Sequence, residues 1–201
     1  MLTSGLFLLV FGSCFSIMLT VAYASLGSTP QERFITLSTT GSDMTTRSLY
    51  PATSPRVGQG DTLNWNVQTS NHMGETEYIA IRVKLLNATQ LAPDEVRHLP
   101  SPADYIYEER VVLADGESSV TPLDITLKDV QVFRDSSAQM RAVTINGKDI
   151  DELRVSNFNS NSFRFVIELW RYDVELENFV YTWSSGLESE SAWNQIRIAL
   201  K

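Results

Sequence analysis

The chain is poor in cysteine and histidine. Its 201 residues include one cysteine, Cys14, and two histidines, His72 and His98. A zinc site takes about three or four protein ligands at fixed spacing, so two separated histidines do not predict a metal centre. Because Cys14 lies in the apolar N-terminal segment, no disulfide is expected elsewhere, and the fold must be stabilised by its own hydrophobic core.

Positive charge is also scarce. Sixteen Lys and Arg residues stand against 24 Asp and Glu residues, which gives a net charge of -8. The basic residues are scattered and form no patch along the sequence. A general nucleic-acid binder needs a basic face that displaces counterions from phosphates. We therefore expect no nucleic-acid partner.

Catalytic motifs are missing as well. The chain has no Gly-x-Ser-x-Gly elbow, no phosphate-cradling glycine loop and no dinucleotide fingerprint. The acidic run Asp149–Glu152 lacks the spacing of a calcium-binding EF-hand loop. Asp104, Glu108 and Glu109 do not predict a glycosidase pair, since adjacent residues of a strand point to opposite faces. We expect no catalytic residue, no cofactor and no metal.

The N-terminal segment has no charged side chain from Met1 to Gln31. Its apolar run of nineteen residues, Leu6–Ala24, is about the length that crosses a bilayer as a helix. Ala22-Tyr23-Ala24 has the small-x-small form of a signal peptidase site, so cleavage after Ala24 is the alternative. The length of the run and the absence of a basic stretch before it favour a retained anchor.

This segment predicts the organisation of the whole chain. We expect residues 1–26 to be a transmembrane anchor or signal segment and residues 27–31 to be a linker. Residues 32–201 would then form an extracytoplasmic domain of a single-pass cell-membrane protein. Asn87-Ala88-Thr89 is the only Asn-x-Ser/Thr sequon, which makes Asn87 a candidate glycosylation site.

Period-two alternation dominates the rest of the chain. Leu63, Trp65 and Val67 alternate with polar residues, which indicates a strand with one buried face. Ile79 to Leu85 has the same pattern, and the turn-forming residues Ser70–Gly74 lie between the two strands. We therefore predict that residues 60–89 form a long hairpin onto which the other strands fold.

Further strands follow at short intervals, separated by Gly, Pro, Asn and Asp residues. They are predicted at residues 33–38, 105–113, 123–127, 163–170, 179–183 and 193–200. Residues 134–161 are interpreted as an insertion between the core strands, with Val143–Ile145 as a short strand and Asn146-Gly147 as a hairpin turn.

The pattern predicts an all-β fold: an immunoglobulin-like antiparallel β-sandwich without a disulfide, preceded by one N-terminal transmembrane helix. Trp65, Ile81 and Phe165 are expected to meet in one dry interior.

Several short strings together resemble an archaeal family known as domain of unknown function 1616, in the form found in ammonia-oxidising archaea. The strings are Gly60-Asp61 with Trp65, Asn71–Gly74, Tyr78 with Arg82–Thr89, Ser101–Ala103, Ile167–Trp170 and Trp193–Gln195. The resemblance implies a membrane-anchored, extracytoplasmic β-sandwich without catalytic residues or cofactor. Two stretches depart from it, since Asp115–Ser119 stands where the family carries Asn and Trp, and residues 134–161 have no match.

The leading functional hypothesis is a non-enzymatic envelope protein. Its anchor would hold an acidic β-sandwich outside the membrane, where a strand edge or an aromatic face contacts a protein of the envelope or of a membrane complex. The alternative is a glycan or small-solute binding module that uses the C-terminal aromatic residues Trp170, Tyr172, Tyr181, Trp183 and Trp193. A hydrolase is a third hypothesis, although no convergent set of titratable residues supports it.

Overall fold

A computed structural model describes residues 33–51, 54–184 and 188–201. The predicted anchor or signal segment, its cleavage site after Ala24 and the linker at 27–31 lie outside these residues. None of the described residues belongs to a helix with the length and hydropathy of a membrane span.

The described part consists of β-strands and one short 3-10 helix, Thr46–Ser48. The strands are β1 (Phe34–Gly41), β2 (Arg56–Val57), β3 (Thr62–His72), β4 (Glu77–Leu86), β5 (Tyr105–Leu113), β6 (Ser118–Val132), β7 (Ala138–Ile145), β8 (Lys148–Ile150), β9 (Val155–Asn157), β10 (Ser162–Asp173), β11 (Asn178–Val180), β12 (Trp183–Ser184), β13 (Ser189–Glu190) and β14 (Ala192–Leu200).

These strands form two main sheets. The first sheet has the order β1-β3-β6-β7-β8, and β9 also pairs with β7. The second sheet has the order β2-β14-β10-β4-β5, and β11 also pairs with β10. Neighbouring strands are antiparallel except β2 and β14. The predicted antiparallel, immunoglobulin-like β-sandwich is therefore confirmed for the described residues.

The two sheets enclose one large hydrophobic core. Trp65 of β3, Ile81 of β4 and Phe165 of β10 are all fully buried in it, as the alternation predicted. The rings of Trp65 and Phe165 meet edge to face at 5.5 Å between centroids, a favourable aromatic geometry. The indole nitrogen of Trp65 donates a hydrogen bond of 2.8 Å to the carbonyl oxygen of Leu49, so its polar atom is satisfied.

The predicted hairpin of β3 and β4 is wrong. β3 pairs with β1 and β6, whereas β4 pairs with β5 and β10, so the chain crosses from one sheet to the other between them. The buried side chain of Asn71 stabilises this crossing. Its amide nitrogen donates to the carbonyl oxygens of Glu75 (2.7 Å) and Leu113 (2.9 Å), and its oxygen accepts from the Met73 amide (2.9 Å).

Residues 134–161 are part of the first sheet rather than an insertion set apart from the core strands. β7 pairs along β6, and its side chains Met140, Val143 and Ile145 are fully buried in the main core. The register shifts on both sides of Asp129, which leaves Lys128 of β6 and Arg141 of β7 without a register partner, and the alternation in β7 is interrupted there. The predicted turn at Asn146-Gly147 is confirmed: both residues have positive φ, 49° and 77°, and join β7 to β8.

Candidate interaction surface on the second sheet

A buried ion pair lies on the outer face of the second sheet, the face turned away from the core. Lys84 Nζ of β4 is 2.9 Å from Glu168 Oε2 of β10. In the register of the two strands Glu168 lies opposite Arg82, so Lys84 and Glu168 are diagonal neighbours. Glu168 is 0% exposed and Lys84 only 4%, because the connection between β4 and β5, residues 87–104, covers them.

The pair is stabilised by further hydrogen bonds from this connection, which we call the β4–β5 connection. The amide of Ser101 donates to Glu168 Oε1 at 2.8 Å, and Lys84 Nζ donates to the carbonyl oxygen of Ser101 at 2.6 Å. The indole nitrogen of Trp170 donates to Glu168 Oε2 at 3.0 Å. A buried pair repays its desolvation only with such additional bonds. The pair therefore fixes the backbone at Ser101 onto the sheet.

Arg82 forms the next layer of the outer face. Its guanidinium carbon lies 4.2 Å from the ring centroid of Trp170 and 4.7 Å from that of Tyr105, a cation–π arrangement on two rings. Its Nε is 2.7 Å from Glu108 Oε2, and Arg110 contacts the other oxygen of the same carboxylate at 2.6 Å. Burial raises the pKa of Glu108, but the hydrogen bonds from Arg82 and Arg110 together hold it below its ordinary value.

Several aromatic rings lie near Arg82 on this face and pack against one another. The rings of Trp170 and Tyr181 are 5.6 Å apart, and those of Tyr172 and Phe179 meet edge to face at 5.3 Å. Tyr78 lies 5.1 Å from Phe179. Burial raises the pKa of Tyr181 above its ordinary value.

The β4–β5 connection carries exposed aliphatic side chains: Leu91 is 70% exposed, Val96 88% and Leu99 52%. Reciprocal backbone hydrogen bonds of 2.9 and 3.1 Å between Asp94 and Leu99 close the loop that bears Val96 and Leu99, and Leu91 lies just before this loop. Thr182, between β11 and β12, donates from Oγ1 to the carbonyl oxygen of His98 at 2.6 Å and so holds the loop in place. Apolar side chains are thus presented to solvent on a loop with a defined backbone.

Asn87, the candidate glycosylation site, lies just after β4 and is partly exposed. Its Nδ2 donates to the carbonyl oxygen of Ser156 at 2.9 Å, and its Oδ1 accepts from the amides of Thr89 and Gln90. Glycosylation at Asn87 stays a prediction.

The two histidines have different partners. His98 Nδ1 is 3.0 Å from Ser191 Oγ, and the ring of His72 lies 4.7 Å from that of Phe34. Asp149 pairs with Lys128 at 2.9 Å. Within residues 33–51, 54–184 and 188–201, no group of three or more His, Cys, Asp or Glu side chains is arranged to hold a metal ion.

The aromatic residues proposed for sugar stacking do not all lie on one face of the sheet. Trp183 is buried in a smaller core cluster with Ile79 and Leu169, on the inner side of the second sheet. Trp170 and Tyr181 do share the outer face, but Arg82 already lies over the Trp170 ring. The contacts do not favour the glycan-binding alternative.

Sequence reasoning missed the residues that organise this surface. In the sequence, Lys84, Ser101 and Glu168 belong to the short strings that carry the family resemblance, and nothing in those strings predicts an ion pair. The available signal was a charged residue inside a strong strand pattern on each of two strands. Their pairing follows from the register, which the sequence does not show.

No protein-family model and no curated protein matches the chain, so the resemblance to domain of unknown function 1616 stays a prediction. Among solved structures, the chain is similar to the CARDB domain of the PF1109 protein from Pyrococcus furiosus, which was crystallised with di-metal ions. The TM-score is 0.42 at 11% identity, over 86% of this chain and 97% of that domain.

Two β-glucosidases also match, one from Listeria innocua (TM-score 0.36, 11% identity) and one from Erythrobacter marinus (TM-score 0.38, 12% identity). Each match covers 84% of this chain but only 16% of the enzyme. Similarity of this degree says nothing about activity.

Proposed function

We propose that this chain is a non-catalytic β-sandwich, held outside the cytoplasm by its N-terminal segment, that binds a protein partner of the cell envelope or of a membrane complex. The contact surface is the β4–β5 connection together with the adjoining outer face of the second sheet. The observation that carries the proposal is the β4–β5 connection, held by hydrogen bonds at Asp94, Leu99 and Ser101, with Leu91, Val96 and Leu99 exposed on it.

Preorganisation is the physical reason for choosing this surface. Ordering a flexible loop on binding costs free energy, and a loop already held by buried contacts avoids most of that cost. The Lys84–Glu168 pair supplies those contacts through Ser101. Exposed aliphatic side chains on such a support favour a partner with a complementary apolar surface.

Location outside the cytoplasm is supported by sequence features. The nineteen-residue apolar run without charge, the single sequon and the acidic composition all agree with an anchored, exposed domain.

Intact-mass spectrometry of the native protein tests both the retention of the N-terminal segment and the glycosylation of Asn87. Cleavage after Ala24 shortens the chain, and a glycan on Asn87 adds mass. Full-length, retained protein is the result expected from an anchor, and cleavage would rule the anchor out.

The partner contact is tested by site-specific cross-linking. A photo-cross-linking residue at Val96 of the full chain, in native membranes, is expected to give one discrete adduct. The same residue at Val132, which is exposed at the end of β6 in the first sheet, serves as the matched control and is expected to give none. Equal labelling from both positions, or recovery of the protein alone from mild detergent, would contradict the proposal.

A further inference from the structure

Two arginines face each other on the outer side of the second sheet, at the end remote from Trp170. Arg164 of β10 and Arg197 of β14 are register partners. Both point away from the core, because the residues on either side of each are buried in it. Like charges directly opposite each other on neighbouring strands destabilise a sheet. The pair is therefore unfavourable unless a negative charge lies beside it.

The protein itself does not supply that charge within the part of the chain that the structure describes. There, neither arginine forms an ion pair with a carboxylate, although the sequence holds 24 acidic residues. Arg164 instead donates from Nη2 to the carbonyl oxygens of Asn87, at 3.1 Å, and Gln90. These neutral acceptors orient the guanidinium group without cancelling its charge. Burial lowers the pKa of Arg164, and the nearby charge of Arg197 lowers it further.

The two arginines open onto a small cleft. Its volume is about 210 Å³, and Ala88, Ser160 and Ser162 complete its lining. Ser160 Oγ accepts a hydrogen bond of 3.1 Å from the Ser162 amide, so its hydroxyl proton is available to another acceptor. The cleft is smaller than the roughly 300–1,000 Å³ of sites for drug-sized ligands, and it suits a single small group.

We propose that this cleft binds a phosphate or sulfate group, either as the free ion or as the end of a larger molecule. Guanidinium groups present planar pairs of N–H donors that match the oxygens of such groups, and the serine hydroxyls add neutral donors. Binding would relieve the repulsion between Arg164 and Arg197. The net charge of -8 does not attract anions in general, so the affinity must arise from the local geometry.

Thermal unfolding of the full chain in detergent tests the site. Inorganic phosphate and inorganic sulfate are titrated, with sodium chloride at equal ionic strength as reference. Saturable binding is expected to raise Tm by about 5–10 °C when the ligand concentration is 100 times the dissociation constant, for a domain of this size.

Glycerol 3-phosphate is titrated in parallel. Stronger binding than inorganic phosphate assigns the cleft to the end of a larger molecule, and weaker binding assigns it to the free ion.

Arg197→Gln is the decisive variant, because Arg197 is exposed and its loss should leave the fold intact. It is expected to abolish the saturable rise while leaving Tm in chloride unchanged or slightly higher, since the repulsion is gone. Arg134→Gln, at an exposed arginine in the turn between β6 and β7, is the control and should respond like the wild type.

Phosphate and sulfate also stabilise proteins by exclusion from their surface. An equal, unsaturable rise in wild type and Arg197→Gln would overturn the proposal.

Discussion

At the scale of single residues, the unusual feature is a charge pair buried outside the hydrophobic core. Lys84 and Glu168 lie on the solvent side of the second sheet, yet the β4–β5 connection covers them. Replacing such a pair by apolar residues is often neutral, whereas removing one partner leaves an uncompensated charge. The contribution of this pair is therefore better understood as positioning Ser101 than as net stabilisation.

Glu168→Ala is expected to lower the free energy of unfolding by about 3–5 kcal/mol, because Lys84 is left buried without its counter-charge. Urea denaturation measures the change. Glu175→Ala, at an exposed carboxylate in the β10–β11 turn, should alter stability by no more than about 0.5 kcal/mol.

The double variant Lys84→Met/Glu168→Leu separates stability from positioning. It should recover most of the lost stability, since no charge stays buried. The Ser101 amide loses its acceptor, Glu168 Oε1, and should exchange its hydrogen faster than in the wild type. A double variant as unstable as Glu168→Ala would argue against this account of the pair.

At the scale of elements, the crossings between sheets decide the topology. Two of them, β3 to β4 and β5 to β6, are joined at Asn71. Its backbone amide donates to Glu117 O at 2.9 Å, and its carbonyl oxygen accepts from the Gly116 amide at 2.8 Å. The side chain adds a bond to Leu113 O at 2.9 Å. One buried residue therefore ties both crossings together.

Asn71→Ala is expected to destabilise the protein by at least about 2 kcal/mol, because buried backbone groups at Leu113 and Met73 lose their partners. The measurement is chemical denaturation monitored by tryptophan fluorescence. Asn64→Ala, on the exposed face of the same strand, is the matched control and should change stability little. Equal effects of the two substitutions would show that Asn71 does not join the crossings.

For the whole molecule, stability comes from one large hydrophobic core, and the described residues contain no disulfide. Acid is expected to lower the free energy of unfolding. Glu108 and Asp61 both have a pKa below the ordinary value. For Asp61 the main cause is its hydrogen bond with Lys201. The unfolded chain therefore takes up protons that the folded protein resists. The stabilisation from Glu108 is complete above its ordinary pKa of 4.5 and is lost as pH falls through the folded pKa.

The urea midpoint is accordingly expected to decline as pH drops below about 4.5. Glu108→Gln should be less stable than the wild type at neutral pH and should lose less stability on acidification. Glu175→Gln, the exposed control, should follow the wild-type profile. Parallel profiles for Glu108→Gln and the wild type would contradict the role assigned to Arg82 and Arg110.

The positions of most strands could be predicted from the sequence, because alternation is a local property that each strand shows in its own residues. β5 was predicted with its observed bounds, and the Asn146-Gly147 turn and the shared core of Trp65, Ile81 and Phe165 were also predicted correctly. Which strands pair depends on contacts between residues far apart in the chain. The β3–β4 turn has hairpin-like residues, but contacts from the distant β5–β6 crossing make it pass between sheets.

The candidate surface was hidden for the same reason. Lys84, Ser101 and Glu168 are far apart in the chain, and their meeting depends on the register of β4 and β10. Arg164 and Arg197 are likewise brought together only by the pairing of β10 with β14. Register is set by long-range packing of the buried faces, so the outer face that it assembles cannot be deduced from local pattern.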